Sequence, residues 1–116
     1  MIETHVYKIL GAEDWSAAEA AGYPSTQLDV GDGYVHLSTR RQVGQTLALH
    51  YKGVRGVRLL EYRLDDLDGT GELKWEPSRG GDLFPHLYGT LPIARARRIW
   101  TLDIGADDVP VLPEDL

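Results

Sequence analysis

Both helix patterns in this sequence lie in its first half, and this uneven distribution constrains the fold more than any other feature. Residues 15–21 contain four alanines, follow Asp14 as a candidate N-cap and precede Gly22, which is typical of a helix C-terminus. A second helix is predicted over 40–51. Strand patterns occur along the whole chain, and short links between the later strands favour antiparallel pairing. We therefore predict a single α+β domain with two helices and about five or six mostly antiparallel strands, and not an alternating βαβ fold.

The predicted strands cover 4–10, 34–37, 57–64, 73–76, 86–88 and 97–102, and Ile99 is expected in the core. The segment 23–32 is rich in turn-forming residues and is predicted to be a surface loop. Residues 1–104 form the predicted globular unit, and 105–116 form an acidic, proline-containing C-terminal tail.

The composition excludes several classes of protein. The chain of 116 residues has no cysteine, so it has no disulfide, zinc–thiolate site, iron–sulfur cluster or thiol nucleophile. The net charge of -6 argues against sequence-independent binding to nucleic acid. No apolar run approaches the ~18 residues of a membrane span, and the N-terminus lacks the features of a signal peptide. We expect a cytoplasmic protein that binds neither membranes nor nucleic acid.

The first candidate site segment is a short strand that leads into a helix. Strand alternation places Tyr34, His36 and Ser38 on one face, behind a turn-forming Asp-Gly pair. Thr39 with Gln42 three residues later matches a capping box, so the predicted helix begins there. Free backbone N–H groups at a helix start suit phosphate or another anion. The alternative is that these hydroxyls are caps and that the imidazole is structural.

The second candidate segment, 75–89, begins as a predicted loop with two prolines and two glycines and continues as a strand. In that strand His86 and Tyr88 share one face. If the two segments meet, they form a pocket of acids, bases, hydroxyls and one guanidinium. The polar residues of this pocket are His36, Ser38, Thr39, Glu76, Ser78, Arg79, Asp82, His86 and Tyr88.

Three kinds of site are compatible with these residue types. In a nucleotide site, Arg79 and helix-start N–H groups hold phosphates, a ring of Tyr34, Tyr88 or Trp75 stacks on the base, and Glu76 contacts a ribose hydroxyl. The competing interpretation places Trp75 in the core with Phe84 and pairs Glu76 with Arg79 inside a loop.

The other two kinds of site are less well matched by the spacing. A metal site would use His36 and His86 with Glu76 or Asp82, but no helical His-x-x-x-His pattern is present, and no metal is expected. A serine hydrolase would need a Gly-x-Ser-x-Gly elbow, which the sequence lacks.

Several separated motifs resemble the bacterial domain-of-unknown-function 952 family. They are Tyr7-Lys8-Ile9, the segment at 32–39, Gln42-Val43, Trp75-Glu76 and the Phe-Pro-His-Leu-Tyr-Gly segment at 84–89, in order across residues 2–102. The family has no established activity, so this resemblance implies relatives but no function.

A more distant resemblance carries functional content. The Val-His-Leu-Ser segment at 35–38 resembles that of RNA 2′-phosphotransferases, which use NAD and have the ADP-ribosyltransferase-like fold. The order of a helix, a long core strand and an aromatic-rich strand before Thr90-Leu91-Pro92 is similar as well. The resemblance implies a curved, mostly antiparallel sheet arrangement and a cleft for NAD or a similar nucleotide, in a relative of ADP-ribosyl or phosphoryl transferases.

The resemblance also implies roles for single residues. Glu76 would stabilise the positive charge that develops on the nicotinamide ribose as nicotinamide leaves. His36 and His86 would orient ribose or phosphate oxygens, Arg79 would pair with pyrophosphate and Tyr88 would stack on a ring. Two alternatives stay open: a non-catalytic module that binds a small anionic metabolite or a protein partner, and an interaction protein that uses 84–88 as a contact surface.

Overall fold

Two small antiparallel sheets and three helices build the domain, in a computed structural model that describes residues 3–78 and 80–116. The helices are α1 (Ala12–Ala21), α2 (Gln27–Asp32) and α3 (Arg40–His50). The strands are β1 (His5–Leu10), β2 (Val35–His36), β3 (Arg58–Arg63), β4 (Gly71–Ser78), β5 (Asp82–Gly89) and β6 (Arg98–Thr101). The α+β class and the antiparallel pairing are confirmed. In the described part of the chain, no helix has the length and apolar character needed to cross a membrane.

The first sheet has the order β1-β3-β6, and the second has the order β2-β5-β4. Tyr7 of β1 pairs with Ser38, just after β2, and this pairing joins the edges of the two sheets. Strand β1 is buried on both faces. Val6 and Leu10 pack in a cluster that includes residues of the second sheet, while Tyr7 and Ile9 pack in a second cluster with α3.

Two predicted helix ends are confirmed. Thr39 and Gln42 form the complete capping box at the start of α3, each side chain accepting a hydrogen bond from the other's backbone N–H. Gly22 ends α1 in the left-handed conformation, with φ of 93°. The N-cap of α1 is Gly11 and not Asp14, which lies inside the helix.

The helix α2 corrects the prediction of a surface loop over 23–32, so the described residues of the first half form three α-helices and not two. Thr26 caps the helix by accepting a hydrogen bond from Asp29 N, and Gly33 ends it with φ of 83°. The carboxylate of Asp29 is buried against Lys8 and His36. These tertiary contacts stabilise a six-residue helix whose composition favours turns.

The long β4–β5 hairpin is a further correction, because only 73–76 and 86–88 were predicted to be strands and the residues between them were predicted to be a loop. Eight residue pairs run from Gly71–Gly89 to Ser78–Asp82. Pro77 fits within the hairpin because β4 is an edge strand of its sheet, where a missing N–H is tolerated. Ile99, expected in the core, is 42% exposed, since β6 is the edge of the first sheet and one of its faces is open.

The C-terminal residues pack on the first sheet. Asp115 accepts hydrogen bonds from Arg98 and from the Trp100 indole, and Leu112 and Leu116 pack against the cluster that contains Tyr7. Arg98 in turn holds Glu61 with two hydrogen bonds, at 2.9 and 3.1 Å.

Candidate functional site

The two candidate segments meet on one face of the second sheet. His36 of β2 lies directly opposite His86 of β5, and their ring centroids are 5.5 Å apart. Alternation along β4 and β5 places Glu76, Phe84 and Tyr88 on the same face. Trp75 lies on the opposite face of β4 and is 38% exposed, so it is neither a ring platform for this site nor a core residue, whereas Phe84 is buried.

A hydrogen-bonded triad joins Glu76, His86 and Tyr88. The Oε1 atom of Glu76 lies 2.8 Å from His86 Nδ1 and accepts a hydrogen bond of 2.7 Å from the Tyr88 hydroxyl. These two hydrogen bonds, the one from Tyr88 first, lower the pKa of Glu76, so its carboxylate is ionised at neutral pH. The same contact raises the pKa of Tyr88 to about 12 and keeps its hydroxyl protonated.

The ring of Tyr34 packs against both imidazoles and against the ring of Tyr88. It stacks on His86 with a centroid distance of 4.1 Å and an interplanar angle of 26°, and it lies 4.5 Å from His36 and 5.2 Å from Tyr88. These contacts restrict the orientation of all four rings.

His36 is held by two carboxylates of α2. Its Nδ1 lies 2.6 Å from Asp29 Oδ1, and its Nε2 lies 2.9 Å from Asp32 Oδ2. A carboxylate accepts hydrogen bonds and does not donate them, so both contacts are hydrogen bonds when both ring nitrogens carry a hydrogen. His36 therefore couples α2 to the second sheet through its contacts with Asp29 and Asp32.

Behind His36 lies a buried ion pair that the sequence did not reveal. The ammonium of Lys8 donates to Asp29 Oδ2 at 2.8 Å and to the His36 carbonyl at 3.0 Å, and both side chains are buried. Burial raises the pKa of Asp29, but the hydrogen bond from His36 and the charge of Lys8 outweigh it and lower the value to about 2. Burial lowers the pKa of Lys8, opposed by the charge of Asp29.

An open cleft of about 590 Å³ lies beside these groups. Lys8, Asp29, His36 and His86 line its polar part, and Tyr51 and Phe84 contribute rings. This volume is in the range of clefts that bind small molecules. The cleft offers an ammonium, two imidazoles, a carboxylate and aromatic surface, which together suit a ligand with both a ring and polar oxygens.

The remaining predicted site residues have different positions. Ser38 lines the cleft, whereas Thr39 is buried and its hydroxyl caps α3. Arg79 lies outside the residues that the structure describes. Within 3–78 and 80–116, no three His, Asp or Glu side chains are arranged to hold a metal ion.

Sequence reasoning missed Lys8, Asp29 and Asp32. A lysine within a strand of mostly apolar and aromatic residues was a usable signal, because a buried ammonium needs a carboxylate partner. No comparable signal marked the two aspartates, since they lie in the segment that was predicted to be a loop.

Comparison with known proteins identifies relatives but no activity. The sequence profile of a family described as "Protein of unknown function (DUF952)" matches residues 9–99. A crystal structure of protein CC0527 from Caulobacter crescentus is 40% identical over 93% of this chain and 94% of that chain, with a TM-score of 0.84. The solution NMR structure of CC0527 is 40% identical over 97% and 96% of the two chains, with a TM-score of 0.80. No curated protein sequence matches the chain.

Proposed function

The chain belongs to the DUF952 family of proteins of unknown function, and we propose that its cleft binds a nucleotide of the NAD type as the substrate of a transferase. The observation that carries this proposal is the ionised Glu76 carboxylate, which is held by Tyr88 and by His86, the member of the triad that lines the cleft of about 590 Å³. The proposed reaction places a negative charge where a positive charge develops.

In this reaction the bond between the nicotinamide nitrogen and ribose C1′ breaks, and the pair of electrons leaves with nicotinamide. Positive charge grows on the ribose ring, and a fixed carboxylate stabilises that charge without reorganising. The Oε1 atom of Glu76 is engaged by His86 and Tyr88, so Oε2 is the oxygen that faces the ribose in the proposal. The depressed pKa of Glu76 supports this role, because a protonated carboxyl group would not stabilise a cation.

The relation to ADP-ribosyltransferases is part of the proposal. It is supported by the Val-His-Leu-Ser segment at 35–38 and by an architecture of two small antiparallel sheets with helices in the first half of the chain. In the proposal His86 orients ribose or phosphate oxygens, Ser38 adds a hydroxyl, and Arg79 pairs with pyrophosphate. His36 was predicted to share the role of His86, but both of its ring nitrogens contact aspartates, so in the proposal it positions α2 beside the cleft.

A second candidate function is favoured by one observation. Both ring nitrogens of His36 are occupied by aspartates, and Glu76 already accepts two hydrogen bonds. Polar groups that already have partners within the protein are typical of a structural network and not of catalytic groups. This favours the non-catalytic alternative, a module that binds a small anionic metabolite in the cleft. Release of nicotinamide separates the two, because a binding module leaves NAD intact.

The test is an amide-resolved NMR titration with NAD, followed by an assay of nicotinamide release. We expect shifts clustered at 35–42 and 76–88. The Glu76→Gln variant should bind NAD with similar affinity and release nicotinamide about 10²–10³-fold more slowly, as expected for loss of a charge-stabilising group.

The matched control is Glu72→Gln, on the same strand but with a side chain that is 72% exposed. It should leave both binding and release unchanged. The absence of shifts at millimolar NAD would rule out the nucleotide proposal. Shifts without nicotinamide release would leave the binding module as the function of the cleft.

A further inference from the structure

The two imidazoles of the site differ in what their ring nitrogens contact. His86 bonds Glu76 through Nδ1, and among the described residues no group bonds its Nε2. The His86 residue is 4% exposed and lines the cleft. It is thus a buried polar side chain with one unpartnered nitrogen at the wall of the cleft.

The contact with Glu76 determines which nitrogen of a neutral His86 carries the hydrogen. The ionised carboxylate accepts a hydrogen bond, so the hydrogen lies on Nδ1 and the lone pair lies on Nε2. The stacked Tyr34 ring, at 4.1 Å, then restricts the ring to one orientation. His36 lacks this property, because each of its nitrogens faces an aspartate.

We propose that His86 is a general base that accepts a proton through Nε2 from a hydroxyl group bound in the cleft, with Glu76 as its positioning residue. This inference rests on the proposed transferase function for its reaction, and it specifies the second substrate as water or an alcohol. A carboxylate that fixes one nitrogen of an imidazole leaves the other poised to take a proton.

The step balances in atoms and charge. The hydroxyl oxygen forms a bond to ribose C1′ as the bond to nicotinamide breaks, and the hydroxyl proton moves to His86 Nε2. Nicotinamide leaves as a neutral molecule, and the imidazolium then releases its proton to solvent. The carboxylate of Glu76 lies next to both positive charges, the transient imidazolium through Oε1 and the ribose through Oε2.

The charged and titratable groups around His86 come from several elements. Glu76 and Lys74 face it from β4, His36 faces it from β2, and Tyr34 and Tyr88 pack beside the ring. Lys74 lies over the Tyr88 ring, 4.8 Å from its centroid. Glu76 is the carboxylate that bonds the ring directly, through Nδ1.

The first test needs no nucleotide. Diethyl pyrocarbonate acylates the unprotonated nitrogen of an imidazole, and mass spectrometry assigns the modified histidine. We expect His86 to be acylated at least about tenfold faster than His36, because an aspartate oxygen contacts each ring nitrogen of His36, whereas no described group bonds Nε2 of His86. Exposure alone predicts the reverse order, since the His36 side chain is 27% exposed and that of His86 is 5% exposed.

His50, which is exposed, provides the rate of an accessible imidazole in the same sample. Faster acylation of His36 than of His86, or no acylation of His86 in the folded protein, would overturn the inference, because a base must be reachable from the cleft. In Glu76→Gln the charge is lost while an acceptor oxygen is kept. The ¹⁵N chemical shifts of the ring report which nitrogen carries the hydrogen. In this variant the hydrogen should be less strongly confined to Nδ1, and the protein should stay folded.

The second test separates this inference from the proposed function. In the native protein the rate of nicotinamide release should fall as the pH decreases through a single ionisation. This decrease, the acid limb of the pH–rate profile, should be absent in His86→Gln. Acylation of His86 in a protein that does not bind NAD would support His86 as a reactive base and rule out NAD as the ligand. If nicotinamide is released and the acid limb persists in His86→Gln, the proposed transferase function is supported and the role of His86 as general base is overturned.

Discussion

Tyr7 and Ser38 exchange two backbone hydrogen bonds, of 2.8 and 2.9 Å, and this pairing brings the first sheet against the strand that carries His36. Lys8 is the next residue along β1, and its ammonium reaches the carbonyl of His36. The candidate site is therefore built where two sheets meet, with contributions from both sheets and from α2.

We predict that replacing Lys8 with methionine lowers the free energy of unfolding by about 3–5 kcal/mol, because Asp29 keeps its charge in a buried position without its partner. The measurement is equilibrium unfolding in urea. Lys74→Met is the control, since the Lys74 side chain is 47% exposed and its contact with Glu72 is long, at 4.0 Å. A loss of similar size in both variants would contradict a special role for the buried pair.

The pH dependence of stability follows from Asp29. Its pKa is lowered from 3.8 to about 2 on folding, so its contribution is complete well above pH 4 and is lost as the pH falls to about 2. The expected loss is roughly 2 kcal/mol. In Asp29→Asn the free energy of unfolding should depend less steeply on pH in this window, whereas Asp66→Asn, at an exposed position, should keep the native slope. Equal slopes in all three proteins would rule out Asp29 as the source.

Strands β4 and β5 approach each other closely at Gly89, so we expect a substitution there to have a strong effect on stability. A Cβ atom there would meet the Thr70 carbonyl oxygen and lie 2.8 Å from Gly71 Cα, and backbone atoms at this distance cannot move without disturbing the strand pair. We expect Gly89→Ala to cost about 1–3 kcal/mol in unfolding experiments. Gly31→Ala is the counterpart in open space on α2, where alanine should stabilise the helix.

Thr39 was predicted to bind the nucleotide, but its hydroxyl accepts the hydrogen bond from Gln42 N at the start of α3. We therefore expect Thr39→Ala to lose about 1 kcal/mol of stability and Thr39→Ser to lose little, since serine keeps the cap. Chemical unfolding of both variants checks this. Equal stability of the alanine variant and the native protein would show that the cap contributes nothing.

Local sequence signals predicted the parts of the fold that local chemistry determines. The capping box at Thr39 and the left-handed Gly22 are confirmed, because each depends on residues next to it in the chain. Helix α2 was missed because its stability comes from Asp29, whose partners lie 21 and 7 residues away. The meeting of His36 with His86 likewise depends on strand pairing between distant segments, which a single sequence does not encode locally.

The buried ion pair also constrains which substitutions this chain tolerates during evolution. A change at Lys8 alone, or at Asp29 alone, leaves the other charge buried without its ion-pair partner, whereas a joint change to two apolar residues does not. Substitutions at these two positions should therefore occur together in evolution. Among homologues, the positions equivalent to 8 and 29 should covary, and a relative with an apolar residue at one of them should carry an uncharged residue at the other.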